Sequence, residues 1–162
     1  MKHKKGFTLI ELVIVMLIVA MLTTFALPQF LKQIQRSKRA DAIASLSELA
    51  QHQETYFADN NQYSASLGGL NADKKGFPLK SGTYYSKQPH TTGNQVTENY
   101  YVVTTASSNI RKDFLLTANA NASQKDDEYC YRFTIDQAGN KRSYAKDSLK
   151  KSHEEAGEDS CW

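Results

Sequence analysis

FTLIELVIVMLIVAMLTTFAL, residues Phe7 to Leu27, is 21 residues long and carries a single charge, Glu11. At about 1.5 Å of rise per residue, a helix of this length crosses a hydrocarbon core, so the segment reads as a membrane helix. A carboxylate at that depth costs on the order of 2.5–3.5 kcal/mol. Glu11 therefore needs a partner, and no soluble fold places such a group among aliphatic side chains without one. Pro28 closes the run. It donates no backbone hydrogen bond and its ring crowds the carbonyl of Thr24, while Thr23 and Thr24 can bond the freed backbone groups. A kink or a short unwound stretch is expected over residues 20–29.

Before the apolar run stands MKHKKG, a short basic leader ending at Gly6. The string GFTLIE, Gly6 to Glu11, resembles the processing signal of type IV prepilins and of their relatives in type II secretion. The resemblance implies that a prepilin peptidase cuts after Gly6. Phe7 then becomes the first mature residue and is N-methylated, and Glu11 is the fifth. An ordinary secretory signal is cut after its apolar region, whereas here that region is kept. The segment SLSELAQHQETYFADNNQYSASL, Ser45 to Leu67, also resembles a group of minor pilins related to competence pilins. Members of the family often carry a glycine in the first half of the helix. The corresponding position here is Ala20, so any melting rests more heavily on Pro28.

The totals bound the rest. A chain of 162 residues has room for one membrane helix and one compact domain. The formal charge is +3, from 20 basic and 17 acidic residues, but Lys2, Lys4 and Lys5 all belong to the leader. Without them the basic and acidic counts are equal, which does not support DNA as a partner on net charge alone. Cys130 and Cys161, 31 positions apart, read as one disulfide in an exported domain. There is no CxxC, and two thiols lack the further ligands that a zinc site needs. Lys32, Arg36, Lys38 and Arg39 follow the apolar run, so charge bias alone does not orient the helix. The family resemblance and the cysteine pair place the leader in the cytoplasm and the C-terminal domain in the periplasm.

From Gln29 the pattern turns amphipathic. Ile34, Ile43, Leu46, Leu49, Ala50 and Phe57 recur at helical spacing, with no glycine until after Asp59-Asn60-Asn61. One helix is expected from about Thr8 to Phe57. Residues 59–98 are polar and punctuated by glycine and proline, and read as a connecting loop. Strands are expected at Asn99–Ala106, Asp113–Ala120 and Glu128–Asp136. A tight turn at Gln137–Asn140 leads into a fourth strand, Lys141–Ala145. The divisions are thus a leader (1–6), a membrane-spanning half-helix (7–28), an amphipathic half-helix (29–58), a loop (59–98) and a sheet with a disulfide-bounded tail (99–162). The pattern predicts an α+β fold, and the resemblance implies the type IV pilin fold, with one long N-terminal helix on an antiparallel sheet of about four strands.

Enzyme signatures are absent. His3, His52, His90 and His153 show no metal-ligand spacing, and there is no nucleophile elbow or phosphate loop. Asp126-Asp127-Glu128 lacks the spacing of a calcium loop and reads as a solvated turn. No cofactor is implied. The resemblance implies a structural subunit of a type IV pilus, a minor pilin, made in the inner membrane and then moved to the cell surface. Its expected partners are the prepilin peptidase, other pilin subunits and the inner-membrane assembly platform. A pseudopilin of type II secretion, a DNA-receptor pilin and a plain single-pass membrane protein are the rival readings. A DNA receptor would need an exposed basic strip, drawn from Lys74, Lys75, Lys80, Lys87, Arg111, Lys112, Arg132, Lys141 and Arg142.

Overall fold

The computed structural model describes residues 8–87, 99–127, 129–146 and 161–162. Within them lie one long helix and one sheet. Helix α1 runs Leu9–Asn60, 52 residues. The contacts divide the chain into two units, Met1–Arg36 and Ser37–Trp162, and α1 passes through both.

In the first unit the helix is apolar nearly all round from Leu9 to Leu27, Glu11 being its one charge. Its large side chains are exposed, Leu9 at 81% and Phe25 at 74%. By length and composition this segment is able to cross a membrane. Residues 20–29 are all helical, so the unwound stretch expected there is not present in this chain alone. The Thr23 hydroxyl donates to the carbonyls of Val19 and Ala20 (3.0 Å each), and that of Thr24 to Ala20 (2.9 Å). These bonds hold the turn just before Pro28, whose missing N–H leaves the Thr24 carbonyl without its helical donor.

In the second unit α1 becomes one-sided. Ala42, Ser45, Leu46, Leu49 and Gln53 are buried, a stripe at the three- and four-residue spacing of a helix face. The helix stops at Asn60 because Asn61 takes a left-handed conformation (φ 53°), its N–H reaching the Phe57 carbonyl at 2.8 Å. Asparagine tolerates that conformation better than most side chains.

Six strands follow, each antiparallel to the next in chain order. They are β1 (Leu79–Lys80), β2 (Thr83–Tyr85), β3 (Tyr101–Ala106), β4 (Leu115–Ala120), β5 (Arg132–Asp136) and β6 (Lys141–Tyr144). The last four fall where the β-branched and aromatic runs place them. The sheet has six strands rather than about four, because β1 and β2 form a small hairpin inside the segment read as a loop. Ser81 and Gly82 join them with φ of 51° and 77°. Positive φ at both central positions is the mark of a type I′ turn, whose twist suits paired strands. Residues 88–98 of that segment, with Pro89 and Gly93, lie outside the described residues.

One face of the sheet packs on α1. Tyr101, Val103, Leu116, Ala118, Phe133 and Ile135 join Leu46 and Leu49 in a single core. Gln53, wholly buried, fixes the first turn after the helix. Its amide donates to the Ser64 carbonyl (3.0 Å) and accepts from the Ser64 N–H (2.8 Å).

Cys130 and Cys161 are joined by a disulfide, with Cα atoms 5.9 Å apart. Trp162 docks beside it. Its ring meets Phe133 edge-on at 5.9 Å, and its indole N–H donates to the Arg142 carbonyl at 2.9 Å. Because these contacts hold the chain end independently of the sulfurs, reduction should loosen the terminus without unfolding the sheet. The double variant C130S/C161S should lose about 3–4 kcal/mol on the chain-entropy model, read as a lower denaturant midpoint. A loss below about 1 kcal/mol would show that Trp162 alone suffices.

Candidate functional site

Three sets of polar groups stand out against this framework. The first is Glu11, in the opening turn of α1. Its backbone N–H reaches the Thr8 hydroxyl at 3.4 Å, the contact of a weak N-terminal cap. A carboxylate in the first turn also suits the positive end of the helix dipole. The side chain is exposed among Leu9, Ile10, Leu12 and Val15, which are exposed as well. A carboxylate among exposed apolar side chains is costly in lipid until a cation meets it. Gly6 and Phe7 lie outside the described residues.

The second set is buried. Arg39, on the helix, donates from Nε to Asp127 Oδ2 (2.7 Å) and from Nη2 to Asp127 Oδ1 (2.9 Å). The Asp127 side chain is 1% exposed. It also accepts from Gln124 Nε2 (2.7 Å) and from the N–H of Cys130 (3.1 Å). One carboxylate thus ties the helix to the short 3-10 helix at Ala122–Asp126 and to the disulfide-bearing segment. The solvated-turn reading of Asp126-Asp127-Glu128 is corrected at Asp127, which is a buried, bidentate partner. Tyr101 lies against this network, and burial, then the charge of Asp127, pushes its phenol far above the usual range. The pairing spans 88 positions, and neither residue announces it locally.

The third set is the basic one, which the structure divides rather than gathers. Lys87 is spent inside the fold, bonded to Glu48 on the helix and set 4.6 Å from the Phe77 ring centroid. Lys74 and Lys75 are exposed in the turns after the helix. Burial, and then the nearby charge of Lys75, holds His52 below its ordinary pKa. Lys80, Arg111 and Lys112 are exposed at the turn end of the sheet. Lys141 lies over the Trp162 ring at 5.1 Å. Arg132 and Arg142 stand on the sheet's outer face.

At the turn end both acids are occupied. Asp113 accepts from the Ser107 hydroxyl (2.9 Å), from the hydroxyl and N–H of Ser108, and from the N–H of Asn109 (3.2 Å). These bonds, the Ser108 hydroxyl first, hold its carboxyl down at about 2. A depressed pKa contributes stability that is complete above the ordinary value and lost as pH falls through the folded one. The β3–β4 turn therefore keeps its shape down to strongly acid pH. Burial pushes Asp136 up, but bonds from Asn140 and Ala138 and the charge of Arg142 outweigh it, leaving that carboxyl below its ordinary value.

Among the described residues no group of three His, Cys, Asp or Glu side chains is placed to hold a metal ion.

Residues 1–27 match the prokaryotic N-terminal methylation motif. Residues 28–134 match the family described as type IV minor pilin ComP, DNA uptake sequence receptor. The chain is 37% identical over 83 residues to the type IV major pilin protein PilA of Myxococcus xanthus, covering 51% of this chain and 36% of that protein. It is 39% identical over 70 residues to the type IV wide pilus major component PilA4 of Thermus thermophilus, covering 43% of this chain and 53% of that one. It is 29% identical over 70 residues to the type II secretion system core protein G of Pectobacterium carotovorum, covering 43% and 45%. The chain thus spans about half the length, or less, of these curated relatives.

Proposed function

We propose, from the premise that this chain belongs to the type IV minor pilin ComP, DNA uptake sequence receptor family, that it is a subunit of a type IV pilus. The observation that carries the proposal is the lone acid, Glu11, on a helix face with no apolar cover of its own. Such a face is suited to two successive solvents, lipid and then the apolar helices of other subunits.

The sequence of events begins in the inner membrane, with the leader cytoplasmic and the Ser37–Trp162 unit periplasmic. A prepilin peptidase removes residues 1–6, and the new amino group at Phe7 is methylated, in keeping with the motif over residues 1–27. That amino group is a cation at the level of the apolar segment. Glu11 of one subunit neutralises the Phe7 terminus of its neighbour, so entry into the filament exchanges an unpaired charge in lipid for a paired one. The pairing sets register and direction, and contacts that repeat without closing make a filament rather than a ring. Pro28 is the weak point at which the helix can open to fit its neighbours, since Thr24 already lacks a backbone donor. The assembly platform and the other pilin subunits are the partners. The role is structural, with no catalytic step.

Within that role the family description supports a second, finer reading: the exposed unit is a receptor for DNA during uptake. The relative from type II secretion supports the pseudopilin reading less strongly, at 29% identity. Filaments sheared from cells and analysed by mass spectrometry should contain this chain. Its confinement to the membrane fraction, with secretion of exported enzymes lost on deletion, would favour the pseudopilin reading instead.

A further inference from the structure

We propose that Arg132 and Arg142, on the outer face of the sheet, form a contact for the phosphate backbone of DNA. The inference rests on the receptor reading above and deepens it by assigning residues.

The sheet alternates. Tyr101, Val103, Leu116, Ala118 and Phe133 face the helix, so their neighbours along each strand face away. The strand pairing sets Val102, Asn119, Arg132 and Tyr144 in one row across β3 to β6. Thr104, Thr117, Thr134 and Arg142 form the next row. Arg132 and Arg142 are therefore diagonal neighbours on adjacent strands, about 7–8 Å apart at their roots.

What distinguishes Arg132 is the nature of its partner. Most other cations held in place in this unit meet an acid or an aromatic ring, and Lys38 combines the Tyr100 ring with the neutral Ser123 hydroxyl (2.9 Å). Arg39 is bound to Asp127, Lys87 to Glu48, and Lys141 lies over Trp162. Arg132 is half-buried, yet its Nε donates to the side-chain oxygen of Asn119 at 2.6 Å. A neutral amide fixes the guanidinium without cancelling its charge. That leaves a planar fork already oriented, the geometry that suits a phosphate, with less ordering left to do on binding. Within β2 to β6 the sole outward-facing acid is Asp136. Its oxygens accept from the N–H groups of Ala138 (3.0 Å) and Asn140 (2.9 Å) and from the Asn140 amide (2.9 Å). The charge of Arg142 reaches it; Arg142 is exposed on the edge strand, and its own side chain has no hydrogen bond among the described residues. A local site of this kind is compatible with a mature chain of balanced charge, because one oriented guanidinium and a second, exposed one beside it act at contact range.

The test uses the full chain in nanodiscs of zwitterionic lipid and a fluorescein-labelled DNA duplex, titrated by anisotropy from about 50 to about 200 mM salt. With about 0.9 counterions released per phosphate contact, R132Q/R142Q should flatten the log–log salt slope by about 1.8 and weaken binding about tenfold at low salt. N119A frees the fork but keeps its charge, so it should weaken binding while leaving the slope unchanged. Thermal melts of each variant should stay within a few degrees of the wild type, as neither arginine is fully buried and the one bond lost is part-buried. Wild-type binding with the same slope and affinity in R132Q/R142Q would overturn this assignment alone. A wild type that binds no duplex at low salt would overturn it together with the receptor reading, and leave the arginine pair to an acidic protein partner.

Discussion

Replacing Arg39 with alanine is expected to lower the stability of the Ser37–Trp162 unit by about 3 kcal/mol, which for a unit of this size is a melting shift of about 10 °C. The cause is what remains behind. Asp127 would stay in place, 1% exposed, with its carboxylate stripped of the cation that holds it through two hydrogen bonds. Breaking a buried pair from one side typically costs 3–5 kcal/mol, and the lower figure applies because Arg39 itself is 18% exposed. Removing both charges should be milder than removing one. In D127N the amide retains an acceptor for the Cys130 N–H, so R39M/D127N should recover part of the loss. Thermal unfolding followed by circular dichroism checks this. A shift below about 2 °C in R39A would mean that water reaches Asp127 and that the network does not organise the disulfide-bearing segment.

Glu11 carries the second large effect. With alanine in its place, the precursor should still insert and still lose its leader, since neither step calls for a charge at that position. Incorporation into filaments should fall. An unpaired carboxylate in the membrane interior costs on the order of 2.5–3.5 kcal/mol, and pairing in the filament would recover it, a difference of about 60- to 300-fold in equilibrium terms. Alanine removes both the cost and the recovery, so the bias toward the filament disappears. Glutamine at the same place separates charge from shape. If E11Q behaves as E11A does, the pairing is ionic. Comparing membrane and sheared-filament fractions by immunoblot reads the result directly. Equal partition of E11A and wild type would exclude a docking role for the acid.

How much of this was legible in the residues depends on the range over which each signal acts. The helix was, because 50-odd residues at one period with no glycine outweigh any local ambiguity, and its stop was written in Asp59-Asn60-Asn61. Strands β3 to β6 were, because runs such as YYVVTT and FLLTANA concentrate branched and aromatic side chains. The β1–β2 hairpin was not. Two- and three-residue strands have no period to detect, and only Ser81-Gly82 between Leu79-Lys80 and Thr83-Tyr84-Tyr85 marked the turn. Asp127 was misread for a different reason. In a run of three acids each residue looks solvated, and nothing nearby in sequence says that the middle one meets an arginine on the helix. The basic residues show the converse limit. Nine cations along the chain suggest a strip, but Lys87 is bound to Glu48 and Lys141 lies over Trp162, and only the strand register reveals that Arg132 and Arg142 are diagonal neighbours. Local chemistry is readable along the chain. Long-range pairing is not.

The account turns on whether the apolar helix is a retained structural element with a fresh amino terminus or an ordinary anchor behind a basic prefix. Intact-mass and amino-terminal peptide measurement of the cell-derived protein, taken from sheared filaments and from membranes, answers this in one experiment. The expected product begins at Phe7 and carries one added methyl group on its amino nitrogen. A protein in which Met1 or Lys2 is still joined through Gly6 to Phe7 would contradict the account, and the pairing assigned to Glu11 would lose its cation.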